Sequence, residues 1–527
     1  MAASFFGVNT VSNRIVPAIG SNRGLVWTAA ACITVSLLVM IAISVAGPSI
    51  VVPSMAHDPG GAPPWWVSLH LSKPFALFTM WGAAVVAAIG VGAGLVAVSR
   101  GARFPVRALL AASFIAITAL TLLPPAGTTD TQSYAIDGNM VVLKHSPYVY
   151  TPATMVKLGD KLAIGSPPTW QHQLSDYGPI ATAQEWAAAE LGGHSMALIT
   201  FWLKLFVALA FSAVVLLLDR LLRDNPAMRL RAHLLWSVNP LLLWEIVASG
   251  HIDGLAIAFG LAGLATLGCT ADDVRPTLVR CAAAGGLLGA AACTKSPFVL
   301  FLIAALWAVR RSPARMACLL GGWLWLTVTA YALAGLPAVK VLFQRGQQIT
   351  WDNLYQVTYR PLGFGGPLGS DHVPGWVFPL ALAVFIGVGV IAFFRLPDRV
   401  PGLPAVTPAL ALSLAWIFCW PFQRPWYDVM IIALLALYPA SRLDLLVLVR
   451  LGFGAVTYME AAHVPLYSWF QQVQLIEGDW ITSSVRLLTA AALIWLCVTG
   501  RWGSRPDRPS ADVRSRVLQP LNLRARA

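Results

Sequence analysis

Residues 25–47 read LVWTAAACITVSLLVMIAISVAG, 23 positions without a charge. As a helix they extend about 34 Å, enough to cross the roughly 30 Å hydrocarbon core of a bilayer. Arg14 and Arg23 precede the run, which is too long for the core of a cleaved signal peptide. It reads as a first transmembrane helix. The rest of the chain has the same character: of 527 residues, 57% are apolar and only 11% charged, where soluble domains carry about a quarter. The mean hydropathy is +0.69. The charges are lopsided, 36 Lys and Arg against 23 Asp and Glu, for a net +13. A basic excess suits nucleic acid only where a polar, solvated domain carries it, and none is present. These values exclude a soluble enzyme, a disordered basic protein and a nucleic-acid partner. They leave an all-α polytopic membrane protein.

Outward from the first run, apolar segments cover 25–47, 74–97, 108–124, 194–217, 234–250, 253–269, 281–294, 296–309, 316–336, 375–394, 404–420, 427–440, 443–460 and 482–500. Several are shorter than a perpendicular span requires, so about 11–14 transmembrane segments are expected. The pairs 234–250/253–269 and 281–294/296–309 read alternatively as broken or re-entrant helices around a cavity. The seven cysteines, Cys32, Cys269, Cys281, Cys293, Cys318, Cys419 and Cys497, lie in or beside apolar runs without a C-x-x-C. They read as small buried hydrophobes.

With the N-terminus placed in the cytoplasm, the inner segments and tail hold 25 of the 36 cations, all of them Arg and Arg450 among them. This asymmetry predicts both termini on the cytoplasmic side of a bacterial plasma membrane. The chain then divides into a cytoplasmic N-terminus (1–24), a transmembrane domain (25–500) and a basic tail (501–527) expected to be disordered against anionic lipid. Eight of the nine histidines fall on the outer side, with loops at 125–193, 337–374 and 461–481. Chemistry is expected there, because these loops exceed what helix connections need.

Asp130 follows the third run, in TTDTQSY. A carboxylate at the membrane boundary, where water is partial, is expected to have a raised pKa and to act as a base; a helix cap is the commoner use of a lone Asp. In WSVNPLLLWEIVASGHIDGLA, Glu245, His251 and Asp253 lie near the outer end of a Pro-interrupted run. Ionisable residues at membrane depth are functional candidates by default. His251 and Asp253 do not share a helix face, so a turn at 250–254 is expected to present both to a cavity. Lys295 stands between two short apolar pieces, and Lys204 midway along another, where snorkelling is its ordinary explanation. An aromatic belt accounts for Trp426 and Tyr427 in WPFQRPWYD, but not for Arg424 and Asp428 beside them.

These motifs fall in a recognisable order: D-x-x-S-Y at 130–134, S-P-Y at 146–148, Y-G-P at 177–179, N-P-L-L-L-W-E at 239–245, G-H-x-D at 250–253, T-K at 294–295 and P-W-Y at 425–427. The order resembles the GT-C glycosyltransferases, most of all the bacterial polyprenol-phosphate-mannose-dependent α-mannosyltransferases of lipomannan and related envelope glycans. The family's H-N-D-A-L block is H-I-D-G-L here, at 251–255. The resemblance implies a GT-C fold and inverting transfer of mannose from polyprenyl-phosphate-mannose to a lipid-linked mannan or glycan acceptor on the outer face. It implies Asp130 as general base. Lys295, Arg424, His251 and, more weakly, Lys204 are the expected cations for the donor phosphate, with Asp253 orienting His251. Tyr134, Tyr148, Tyr177, Glu245, Trp426 and Tyr427 are expected at the sugar or prenyl chain. No metal ligand set is assigned and no cofactor is expected, the lipid-linked sugar being a substrate; no nucleotide-binding loop is present.

A secondary transporter or lipid-linked-sugar flippase also uses broken helices and buried charges. Against it, the sequence shows no obvious inverted repeat, and its ionisable residues gather at the outer boundary rather than the midplane. A non-catalytic partner in envelope synthesis keeps the fold without the Asp130 chemistry.

Overall fold

Proline and short polar caps start the helices. Pro74, Pro179, Pro226 and Pro313 occupy first or second helical positions, where a missing N–H costs nothing. Ser195, Asn225 and Thr277 each accept a hydrogen bond from a backbone N–H three residues on. Ser441 and Asp444 form a reciprocal capping box. The computed structural model describes residues 18–55, 61–168, 170–268, 276–344, 349–350, 352–362, 373–396, 400–458 and 476–503. Expectations for 1–17, Cys269, much of the second and third outer loops and the tail beyond 503 lie outside the described residues.

Among the described residues there are helices and no strands. Six helices are long and apolar enough to cross a membrane: Asn22–Ala46, Lys73–Ser99, Met196–Leu221, Pro313–Ala334, Val377–Arg395 and Trp480–Thr499. A further apolar pair, Pro226–Ala248 and Asp253–Thr266, is bent by 114° at its break, as a broken span or a re-entrant loop. Five shorter apolar helices, Val106–Leu122, Leu278–Thr294, Ser296–Val309, Val406–Cys419 and Pro425–Leu435, complete the set. With Arg442–Thr457, these elements fall on the fourteen apolar segments of the sequence. The protein is therefore an all-α polytopic membrane protein.

Small residues let the helices approach. A Cβ on Gly285 would stand 2.0 Å from the Leu319 carbonyl oxygen, and one on Gly322 2.0 Å from that of Ala282, so Leu278–Thr294 and Pro313–Ala334 touch backbone to backbone. Lipid offers little hydrophobic gain between helices, so such close contact and buried polar bonds hold the bundle. On the side bearing the Arg-rich turns, Arg231 pairs with Asp444 and donates to the Leu435 and Tyr438 carbonyls. Cys281, Cys293, Cys419 and Cys497 are buried free thiols; Cys32 and Cys318 are free and half-buried.

Two expectations need correction. Arg450, counted with the inner cations, lies midway along Arg442–Thr457 and is buried 3.1 Å from Asp428, a residue expected on the outer side. A charge inside a helix follows its buried partner, not the loop count. The 125–193 segment is chiefly helical, with Asp130–Val142 and Pro179–Gly192 packed side by side. Gly138 permits that contact, because a Cβ there would lie 2.1 Å from the Glu185 carbonyl oxygen. Gly138→Ala is expected to destabilise the protein by at least the roughly 1–3 kcal/mol typical of overpacking, read as a lower thermal midpoint in detergent.

Candidate active site

The break between Pro226–Ala248 and Asp253–Thr266 builds the site. Pro240 interrupts the helix and much of its flank runs as π-helix, a form common at functional sites. Gly250 then takes φ +71°, where a Cβ would press Lys204 and Thr131 at 3.0 and 3.1 Å. The chain turns, and His251 and Asp253 are both buried in the interior. His251 Nδ1 donates to the Glu245 carbonyl at 2.5 Å. That bond leaves Nε2 facing Asp130, whose Oδ2 is 3.5 Å away. The distance is long for a hydrogen bond, and Nε2 has no closer partner. The pairing is attractive only with a proton on one of the two atoms. Trp426 stacks on the imidazole at 3.8 Å and 18°.

Asp130 opens its helix with its N–H bonded to Thr128 Oγ1 at 3.0 Å. Burial alone would raise its pKa, but contact with His251 and the charges of His251, Arg424 and Lys295 outweigh it and hold the carboxyl below its ordinary value. This corrects the expectation of a raised pKa: His251, Arg424 and Lys295, distant in sequence, win over burial. The carboxylate is ionised at neutral pH and able to accept a proton.

Two cations flank it. Lys295 is the extended residue between Leu278–Thr294 and Ser296–Phe298, with its ammonium 2.7 Å from Asp253 and 4.1 Å from the Tyr427 ring centre. Asp253 thus holds Lys295, and the Glu245 carbonyl orients His251 in its stead. Gly178 fits the Y-G-P turn against this strap: its N–H donates to the Thr294 carbonyl at 3.2 Å, which brings Tyr177 to 5.5 Å from the Lys295 ammonium. Arg424 makes no ion pair among the described residues. Its guanidinium lies over Tyr458 at 4.6 Å and nearer than 6 Å to Trp426.

A buried network holds that arginine in place. Gln423 Oε1 accepts from Arg450 and from Arg486, each at 3.0 Å. Arg450 pairs with Asp428 and Arg486 with Asp352, while the Tyr458 hydroxyl donates to Asp352 at 2.8 Å. Asp352, Gln423 and Arg486 were not among the sequence candidates. They come from three distant segments and carry no motif.

On its other side Asp130 borders a narrow open cleft. Asp130, Ser133, Tyr134 and Asp137 share one face of the helix there, at the three- and four-residue spacing of a helical stripe. The opposite wall is formed by Trp170 and residues 173–177. Burial pushes the Asp137 carboxyl up to about 7; Ser175 alongside lowers it and Asp176 adds to the rise. Burial, then Asp137 and Asp176, push Glu185 up as well. Asp137 was legible only to a reader who knew that residues 130–142 are helical.

Other candidates are placed differently. Lys204 is fully buried and donates to the carbonyls of Leu120, Leu123 and Pro124 at 2.5–3.1 Å, closing the end of the third helix instead of meeting a phosphate. Tyr148 donates its hydroxyl to the Tyr177 carbonyl, accepts from the Thr182 hydroxyl and packs on Ala338 and Val341. Tyr134 and Tyr177 meet edge to face with their hydroxyls 3.1 Å apart. Glu245 is buried with Oε1 unpartnered. Among the described residues no three His, Cys, Asp or Glu side chains gather closely enough to hold a metal ion.

Residues 33–311 match the family model described as "Alpha-(1->6)-mannopyranosyltransferase, N-terminal domain". The match includes Asp130, His251, Asp253 and Lys295 and ends before Arg424. A probable alpha-(1->6)-mannopyranosyltransferase of Mycolicibacterium smegmatis is 27% identical over 161 residues, 31% of this chain and 29% of that protein. An alpha-(1->6)-mannopyranosyltransferase of Mycobacterium tuberculosis is 25% identical over 145 residues, 28% of this chain and 24% of that protein. The matched stretch thus spans under a third of the length of either curated relative. No solved structure matches.

The raised Asp137 gives a pH test. The folded protein holds this proton up to about 7, while the ordinary carboxyl value is 3.8. Between those values the unfolded chain binds fewer protons, so the group lowers stability as pH rises. Asp137→Asn is expected to raise the thermal midpoint relative to the native protein more at pH 8 than at pH 4, measured in detergent at both values.

Proposed function

This chain belongs to the alpha-(1->6)-mannopyranosyltransferase family, and we propose that it is a membrane glycosyltransferase with Asp130 as its general base. It moves a mannosyl residue from polyprenyl-phosphate-mannose to a lipid-linked mannan or glycan acceptor, on the outer face of the plasma membrane, with both termini in the cytoplasm. The observation that supports this reading is the placing of one ionised carboxylate, Asp130, between a cation-lined side and an open cleft.

The chemistry follows from charge. The acceptor hydroxyl oxygen attacks the anomeric carbon and its proton passes to Asp130. The carbon–oxygen bond to the donor phosphate breaks on the opposite face, which inverts the anomeric centre. The departing lipid phosphate gains negative charge as that bond stretches. Arg424 is suited to meet that charge, since aromatic faces hold it and it makes no ion pair among the described residues. Lys295 contributes less, because Asp253 offsets its charge at 2.7 Å. The His251 imidazole, fixed by the Glu245 carbonyl, sets the direction of the Asp130 carboxylate. A depressed pKa makes Asp130 a weak base, so it takes the proton late, once the hydroxyl has become acidic through bonding to carbon.

Asp130→Asn, at unchanged protein level in the membrane, is expected to abolish transfer of radiolabelled mannose from the polyprenyl-phosphate donor to a mannan acceptor, a loss of roughly 10²-fold or more. Full activity in this variant overturns the general-base role. Label that crosses the bilayer without joining the acceptor establishes a flippase instead.

A further inference from the structure

The second outer loop does not stay outside the bundle: Asp352 and Asn353 are fully buried. Thr350 donates its N–H and its hydroxyl to the Pro421 carbonyl, each at 3.1 Å. The Tyr355 hydroxyl donates to the Cys419 carbonyl at 2.7 Å, and Leu354, Tyr355 and Tyr359 pack with Val377 and Ala381. These contacts seat Asp352 between two elements remote in sequence. One of its carboxyl oxygens accepts from the Tyr458 hydroxyl at 2.8 Å, and the other pairs with Arg486. Tyr458 caps the C-terminal end of Arg442–Thr457, and its ring carries the Arg424 guanidinium at 4.6 Å. The same ring meets Trp426 edge to face at 5.8 Å, and Trp426 stacks on His251. All of these residues except His251 lie beyond residue 311, where the family match ends.

We propose that Asp352 is the positioning residue for Arg424: it holds the Tyr458 ring on which the guanidinium rests, and so fixes where that charge stands relative to Asp130. This rests on the mannosyl-transfer reading and adds a residue that acts without touching the reacting atoms. Stability alone does not account for the arrangement, because a buried ion pair is often replaced by apolar side chains of like volume without loss. What the Asp352 carboxylate supplies is direction. A cation over an aromatic ring is attracted to the face as a whole, so the tilt of the ring decides where the guanidinium comes to rest. One bond from the phenol hydroxyl to a fully buried carboxylate sets that tilt. Arg486 holds the carboxylate in turn, and Gln423 holds Arg486 and Arg450. Gln423 directly precedes Arg424, so the network reaches the guanidinium through the backbone as well as through the ring. A misplacement of about 1 Å at such a group costs up to roughly 10²-fold in rate, which makes position worth securing.

Tyr458→Phe removes only the link, keeping the ring beneath Arg424 and every buried ion pair, whereas Asp352→Asn removes the carboxylate charge. In the transfer assay each is expected to lower kcat about tenfold and to leave the acceptor KM within about twofold. Both changes are then repeated in an Arg424→Lys background. There each is expected to cost less than about twofold, because the group it positions is gone. Farnesyl phosphate, which carries the charge of the departing lipid phosphate, gives the same cycle by calorimetry on the full-length protein in detergent, without a sugar donor. The native protein is expected to bind it, each variant to bind about tenfold more weakly, and the Arg424→Lys background to remove the difference. Where Asp352→Asn lowers the yield of folded protein, Tyr458→Phe carries the test. Coupling in binding while no lipid donor yields transfer supports the positioning role and counts against the transferase reading alone. Equal losses in both backgrounds mark the network as structural only and overturn the role. So does a Tyr458→Phe protein with native kcat and native affinity, or a native protein that does not bind farnesyl phosphate at millimolar concentration.

Discussion

A polypeptide can abandon helix inside a membrane only where side chains or other backbone satisfy the groups it frees. The break between Pro226–Ala248 and Asp253–Thr266 obeys this constraint, and the site is its product. The His251 ring donates to the Glu245 carbonyl, the Ser249 hydroxyl to those of Ala126 and Trp244, and the Thr131 hydroxyl to that of Ser249. Lys204 closes the neighbouring helix end. The same bonds that make the break tolerable bring the Asp130 helix against it and aim an imidazole at the carboxylate. Structure and reactivity here share their hydrogen bonds, so a change at Ser249 or Thr131 acts on both.

Around this break, charge is divided. Cations lie on one side of Asp130, each managed differently: Lys295 neutralised by Asp253, Arg450 and Arg486 paired with Asp428 and Asp352, and Arg424 held over rings with no ion pair among the described residues. On the other side the carboxyls of Asp137 and Glu185 carry raised pKa values, because burial and mutual repulsion disfavour their charge. The contrast with the depressed Asp130 is a matter of neighbours. One helix face presents two aspartates seven residues apart, and only the one beside the broken span meets cations.

The residues legible before folding were those tied to local pattern. Uncharged runs located the helices, Pro and Gly located the break at 250–254, and membrane depth singled out Asp130, His251, Asp253 and Lys295. Less legible was pairing. Nothing local distinguishes Lys204, bound to three carbonyls, from Lys295, beside a carboxylate; both interrupt apolar runs. Arg450 carried an orientation signal in the linear reading yet serves a buried ion pair. Gln423, Asp352 and Arg486 escaped notice because their meeting joins segments more than 60 residues apart.

By itself, then, the sequence determined the solvent of the protein, the positions of its helices, the place where one of them breaks and the short set of ionisable residues worth suspecting. These follow from the free energy of placing each residue in hydrocarbon or water, which depends on neighbours a turn or two away. Only the tertiary structure decided which charges cancel, that the Asp130 carboxyl is pushed down while the Asp137 carboxyl is pushed up, and that Arg424 makes no ion pair among the described residues. Those outcomes depend on Coulomb interactions and burial over a few ångströms between residues remote in the chain, which no local pattern encodes.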